Sequence, residues 1–242
     1  MDIYPSVQVK IPKNVAQKRL ATYVKEANFS GYDEANIIDE DVTFHALSLD
    51  GYDNLEKVEV MNTDDCFRLF LTNTTNQSQL TAFLNQTANN VIRPFPAGLN
   101  TPVGMLIANP AYGPNPVYAQ NWTTGAYHGT VTWSWPMAMM AKGLERQLGR
   151  CEGQPWTVPD FCSEPSVYNN VVNAYNALWN TIEANAAQLS TEVWSWDFVN
   201  NQYIVTPLSN QPSPPGVGAQ TGKFDLAHQK PFRNFVLPGL PC

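Results

Sequence analysis

The chain has 242 residues and a mass of 26.9 kDa, with 43% hydrophobic residues, enough for one well-buried core and against disorder. Fourteen basic against twenty-one acidic side chains give a net charge of -7, which excludes a phosphate-tracking basic surface and argues against nucleic acid as a partner. Only 14% of residues are charged, and 24 asparagines supply much of the remaining polarity, a composition suited to polyol ligands and an extracellular setting.

Met1-Asp2-Ile3-Tyr4-Pro5 has neither a basic nor an apolar leader segment, and no apolar run is long enough to span a bilayer, so no membrane partner is expected. Pro12 to Asn28 carries Val15, Leu20, Tyr23, Val24 and Ala27 near helical spacing and predicts an amphipathic helix. Val42 to Met61 alternates around Asp50-Gly51-Tyr52-Asp53-Asn54 and predicts two strands and a turn, with Asp50 and Asp53 as turn formers. Helices are predicted near Asp64–Leu71 and Gln79–Val91, the second ended by Pro94 and Pro96.

Arg93 to Asn121 is rich in Pro and Gly and predicts a long packed loop of functional type. A helix is predicted over Thr130–Leu148, with Pro136 confined to its first turn. The strongest periodicity is the stripe Val167, Val171, Ala174, Leu178, Ile182, Ala186 and Leu189, which predicts a helix over Pro165–Leu189. Tyr203-Ile204-Val205 reads as a short strand. No domain boundary interrupts the chain, so residues 1–242 are expected to form a single domain.

Five N-glycosylation triplets begin at Asn28, Asn73, Asn76, Asn85 and Asn121, and they predict a secreted glycoprotein. The cysteines Cys66, Cys151, Cys162 and Cys242 lack C-x-x-C spacing, which favours disulfides over zinc. Of the three connectivities, the short separation favours Cys151–Cys162, leaving Cys66 with Cys242. His45, His128 and His228 are too scattered for a zinc motif, no G-x-S-x-G elbow is present, and the glycines from Gly216 to Gly222 miss the dinucleotide fingerprint. No metal or cofactor is expected.

Two segments, residues 127–135 (YHGTVTWSW) and 191–197 (TEVWSWD), cluster aromatic rings with polar groups. Sites for sugars combine apolar ring faces with a few fixed polar groups, so both fit a carbohydrate ligand. Together with PFPAGL at 94–99 and GMLIANPAY at 104–112, they resemble the C-terminal half of fungal glycogen-debranching-enzyme-like proteins of the six-hairpin glycosidase group, over most of the chain from about Asp41 onward. The resemblance implies a mainly α fold, an (α/α)6 toroid of helical hairpins, and hydrolysis of an α-linked glucan or oligosaccharide by two carboxylates. Twelve helices do not fit in this length, so a partial toroid with a short β-hairpin is expected, completed by self-association or by a missing N-terminal half.

Glycoside hydrolysis needs one carboxyl to protonate the leaving oxygen and another to activate water. Glu192 is the base candidate, because Trp194 and Trp196 follow it and their rings could desolvate it; the resemblance likewise places a carboxylate late in the chain before a Trp. Asp64 and Asp65 are the acid candidates, although either suits a helix cap. Tyr127, His128, Trp133, Trp135, Trp194 and Trp196 are the candidate sugar contacts, with His128 resembling a hydroxyl contact of the family. Trp133 and Trp135 cannot share a face if both lie on one helix. A non-catalytic carbohydrate-binding protein is the alternative.

Overall fold

The computed structural model describes residues 7–27, 38–50, 56–74, 76–154, 156–214 and 216. Helices form where the apolar period is 3.6. α1 (Lys13–Glu26) buries Ala16, Leu20, Tyr23 and Val24. Pro12 offers no side-chain cap, and the carboxylate of Asp41 accepts from the Lys13 amide at 3.0 Å instead. That bond, followed by the bond from Lys10, holds the Asp41 carboxyl below its ordinary range.

α2 (Asp65–Leu71), α3 (Gln77–Ile92), α5 (Ser134–Gly149) and α6 (Pro165–Ala184) pack in the order α2, α5, α6, α3. α3 is capped by Asn76, whose side-chain oxygen accepts from the Gln79 amide at 3.2 Å. Gly143 of α5 lies so close to α2 that a Cβ there would stand 2.7 Å from the Leu69 Cβ. Four residues on, the buried Gln147 donates to the Leu69 carbonyl at 2.7 Å and closes the end of α2. A short helix, α4 (Val117–Asn121), stands apart in the loop-rich middle.

Eleven short strands fill the remaining space among the described residues. β1 (Gln8–Ile11) pairs with β2 (Val42–His45), and β3 (Leu49–Asp50) pairs with β4 (Glu56–Lys57) across the predicted turn. β5 (Met61–Asn62) pairs with β8 (Ala108–Asn109), and β6 (Asn100–Thr101) with β7 (Gly104–Met105). β10 (Val193–Val199) lies between β9 (Thr132–Trp133) and β11 (Gln202–Thr206). All of these pairings are antiparallel.

The fold is therefore mixed, and the expected mainly α toroid of helical hairpins, even a partial one, is not formed. Six α-helices alternate with five small sheets among the described residues. The cause is the region 93–133, where Pro and Gly forbid long helices and the chain builds core from two-residue strands. Phe95, Leu99, Met105, Leu106 and Tyr112 are all buried there. Asn109, wholly buried, donates to the carbonyls of Pro96 and Gly98, both at 2.8 Å, and so replaces the missing ladder. Gly104 has φ 141° and would place a Cβ 2.5 Å from the Thr132 side chain, so only glycine fits at this crossing.

Cys151 and Cys162 form the predicted disulfide. Cys66 is buried, and burial, then the charges of Asp64 and Asp65, pushes its thiol up to about 12. Its expected partner Cys242 lies outside the described residues.

At the junction of β2 and α2, Asp65 is 4% exposed and takes both His45 Nδ1 at 2.8 Å and an Arg68 guanidinium nitrogen at 2.6 Å. Removing one partner from a buried ion pair leaves an uncompensated charge and costs about 3–5 kcal/mol. Asp65→Ala is accordingly expected to lower the unfolding free energy by that order and with it the urea midpoint, whereas Asp64→Ala leaves the midpoint nearly unchanged. Equal midpoints for the two variants would refute the structural role of Asp65.

Candidate functional site

The candidate residues separate into a buried set and an accessible set. Trp194 and Trp196 belong to the first: they are 2% and 3% exposed, and their indole N–H groups donate to the carbonyls of Val103 and Thr130 at 2.7 and 2.8 Å. With faces covered and N–H groups satisfied, neither can act as a sugar platform, nor can their rings wall a pocket around Glu192 as expected. Asp65 is likewise withdrawn from the role of acid, because its carboxylate is committed to His45 and Arg68 inside the core.

The accessible set converges. β9 and β10 pair Trp133 with Val193, and the Ser134 amide donates to the Glu192 carbonyl at 3.0 Å, so Glu192 sits beside the first turn of α5 although 58 residues separate it from Ser134. The Trp133 ring lies 4.6 Å from Tyr127, 5.1 Å from His128 and 6.2 Å from Trp135. Trp135 in turn lies 5.5 Å from Phe67 of α2. These five rings make a continuous strip that faces water: His128 and Phe67 are exposed, and Tyr127, Trp133 and Trp135 are half-buried.

Trp133 and Trp135 share the strip because an element boundary falls between them. The helix begins at Ser134, not Thr130, so Trp133 projects from an extended strand and Trp135 from the first helical turn. The helical rule that separates positions two apart does not apply across that boundary. Phe67 was not foreseen; its only signal in the sequence is a large aromatic on the face of α2 opposite Leu69, which is buried.

A carboxylate stands near each end of the strip. At one end the Tyr127 hydroxyl donates to Glu192, and burial, then that bond and the Glu192 charge, pushes the phenol up to about 12. At the other, Asp64 lies one helical turn before Phe67. Although Asp64 precedes α2, its side chain makes no capping bond. Asp64 is exposed as a residue, yet partial burial of its carboxyl raises the pKa, with Arg68 opposing and Asp65 adding to the rise. The strip keeps donors for a ligand, since neither the Trp135 indole N–H nor the His128 ring nitrogens are hydrogen-bonded among the described residues. Trp133 spends its own N–H on the Tyr127 carbonyl at 2.9 Å.

A second polar feature was not predicted. Between α3 and α6 lies an open groove of about 480 Å³ lined by asparagines, with Arg93 at one side and Asp39 and Glu40 at its rim. The signal was present as the spacings 85/89 and 169/173, which place carboxamides on one face of each helix. Apolar periodicity alone does not register them. No group of three or more His, Cys, Asp or Glu side chains able to hold a metal occurs among the described residues.

Comparison of the chain with protein-family models, with curated proteins and with solved structures finds no match.

The Tyr127–Glu192 contact is testable by pH. A phenol with an ordinary value of 10.0 in the unfolded chain and about 12 in the folded one ionises first in the unfolded chain. Its contribution is intact below pH 10 and is lost as pH rises toward 12. Tyr127→Phe is therefore expected to flatten the alkaline fall in stability, followed by denaturant unfolding at stepped pH, and an unchanged slope would refute the contact.

Proposed function

We propose that the protein acts on carbohydrate, with a saccharide laid along the strip of Tyr127, His128, Trp133, Trp135 and Phe67, and that it hydrolyses a glycosidic bond there. The observation that carries this reading is a water-facing run of touching aromatic rings with a carboxyl group near each end. Aromatic faces match the apolar C–H faces of sugar rings, while the free indole N–H and imidazole nitrogens suit hydroxyls. The resemblance of residues 127–135 and 191–196 to six-hairpin glycosidases supports an α-linked glucan as substrate, without the toroid.

In the reaction proposed, which requires the two carboxyls to come within about 6.5–9.5 Å of each other across one bond, Asp64 gives its proton to the leaving glycosidic oxygen as the C1–O bond breaks. Glu192, held by Tyr127, takes a proton from the water that attacks C1. Partial burial shifts the Asp64 carboxyl upward, the direction a proton donor requires. Binding without turnover is a second reading, favoured because the rings of Phe67, Trp135 and Trp133 intervene between the two carboxylates.

Reducing-sugar release from a panel of α- and β-glucans separates these readings. Under hydrolysis, Glu192→Gln and Asp64→Asn each lower turnover by about a hundredfold or more while the chain stays folded. Under binding alone, no substrate is cleaved, yet Trp135→Ala weakens retention on the glucan. A wild-type chain that neither cleaves nor binds any member of the panel overturns both.

Secretion with N-glycosylation belongs to the same proposal. Asn73 and Asn121 are exposed; Asn76 caps α3, Asn85 is held by Asn170 at 2.9 Å, and Thr87 of its triplet is buried. Asn28 lies outside the described residues. Peptide mapping after expression in a glycosylating secretory host is expected to find glycan at Asn73 and Asn121 and none at Asn85; an occupied Asn85 would contradict this selection.

A further inference from the structure

We propose that the groove between α3 and α6 is a second binding site, separate from the aromatic strip, that takes a neutral polyhydroxylated ligand such as a terminal sugar unit. Its volume of about 480 Å³ falls within the range of small-ligand sites. The inference does not depend on the strip being a glycan site, because none of the groove's lining residues belongs to the strip.

The chemistry of the lining selects the ligand. Asn85, Asn89 and Arg93 lie at successive turns of the end of α3, and Asn169, Asn170 and Asn173 face them from α6. A carboxamide offers both a donor and an acceptor, as does a hydroxyl, so a wall of carboxamides pairs with a set of vicinal hydroxyls in either sense. Among the described residues no aromatic or aliphatic side chain lines the groove, which disfavours an apolar ligand. Among the described lining residues, the carboxylates of Asp39 and Glu40 outnumber the one cation, Arg93, and disfavour an anion.

The polar groups are also held in place before any ligand arrives. The Asn170 amide nitrogen donates to the side-chain oxygens of Asn85 at 2.9 Å and Asn89 at 2.7 Å. The Asn89 nitrogen donates to Glu40 at 2.7 Å, and Glu40 accepts from Arg93 at 2.7 Å as well. This chain fixes the sense of these three carboxamides and leaves the Asn170 side-chain oxygen and the Asn85 side-chain nitrogen without a hydrogen bond among the described residues. Asn169 and Asn173 are exposed and make no hydrogen bond among the described residues. Ordering the donors in advance removes part of the entropy cost of binding.

The sequence points the same way. Asparagine is a weak helix former because its side chain competes for backbone hydrogen bonds. Placing five on the facing sides of two long helices costs helix stability that Ala, Glu or Lys would supply. Three of the five, Asn85, Asn89 and Asn170, join one hydrogen-bonded network, and Asn169 and Asn173 stand exposed beside it, which accounts for the choice as recognition.

The test is a titration of the full chain with maltose, cellobiose and sorbitol, followed through the side-chain amide signals of asparagine in nitrogen-15 NMR, with inorganic phosphate in parallel. A saturable shift of the Asn85, Asn89 and Asn170 amides with at least one of the three polyols, and none with phosphate, is the expected result. Asn173→Ala, which breaks no internal bond, is expected to weaken that binding by about tenfold. Trp135→Ala is expected to leave it unchanged. The proposal is overturned if no polyol gives a saturable shift, if phosphate does so instead, if Asn173→Ala has no effect, or if Trp135→Ala abolishes the shift. Failure of the strip reading shows separately, as the absence of any glucan binding sensitive to Trp135.

Discussion

The pairing of Thr132–Trp133 with Val193–Trp194 brings together two stretches of chain some sixty residues apart, and the geometry of the strip follows from it. The Ser134 amide would otherwise be one of the unsatisfied donors at the start of α5; it is closed by the Glu192 carbonyl. Because that bond is to the backbone, it anchors Glu192 beside the helix start while leaving its carboxylate for Tyr127. The same strand end turns Trp194 and Trp196 inward, where they lock onto Val103 and Thr130. One short pairing therefore divides the four tryptophans of the two aromatic segments into two that build core and two that meet water.

The helical side of the site depends on a buried charge. Asp65 is buried in the core in contact with two partners, His45 at 2.8 Å and Arg68 at 2.6 Å. These partners come from β2 and from its own helix, so the contacts tie the start of α2, which carries Phe67, to β2. Asp64, one residue earlier, is left outside this arrangement. Two adjacent aspartates thus differ, one buried and paired and the other exposed, according to which of them the helix turns toward β2.

How much could be read from the sequence depends on the length of each element. α1, α3 and α6 run for 14, 16 and 20 residues, and their stripes predicted them within a few residues at either end. The two-residue strands are too short for any period of two to register, and their pairings join segments as distant as Met61 and Asn109. That is why a helical toroid was expected where short strands complete the core. The aromatic segments were legible as composition, but not the division within them: Trp194 and Trp135 look alike in sequence, and only the sheet decides that the first is buried. Phe67 joins the strip through packing of α2 on α5, for which no local signal exists.

The low share of charged residues has a structural counterpart in the two surfaces. Where a typical helix shows lysine and glutamate to water, α6 shows Asn169 and Asn173 to the groove, and the loops around β9 show Tyr127 and His128. Long charged side chains hold tightly bound water and lose much rotamer freedom when a ligand orders them, whereas carboxamides and rings on short stems lose less. A surface built this way gives up the salt bridges of an ordinary helix face, each worth less than about 1 kcal/mol when exposed. In exchange it presents neutral donors and acceptors to water in place of charges, three of them, Asn85, Asn89 and Asn170, already hydrogen-bonded to one another.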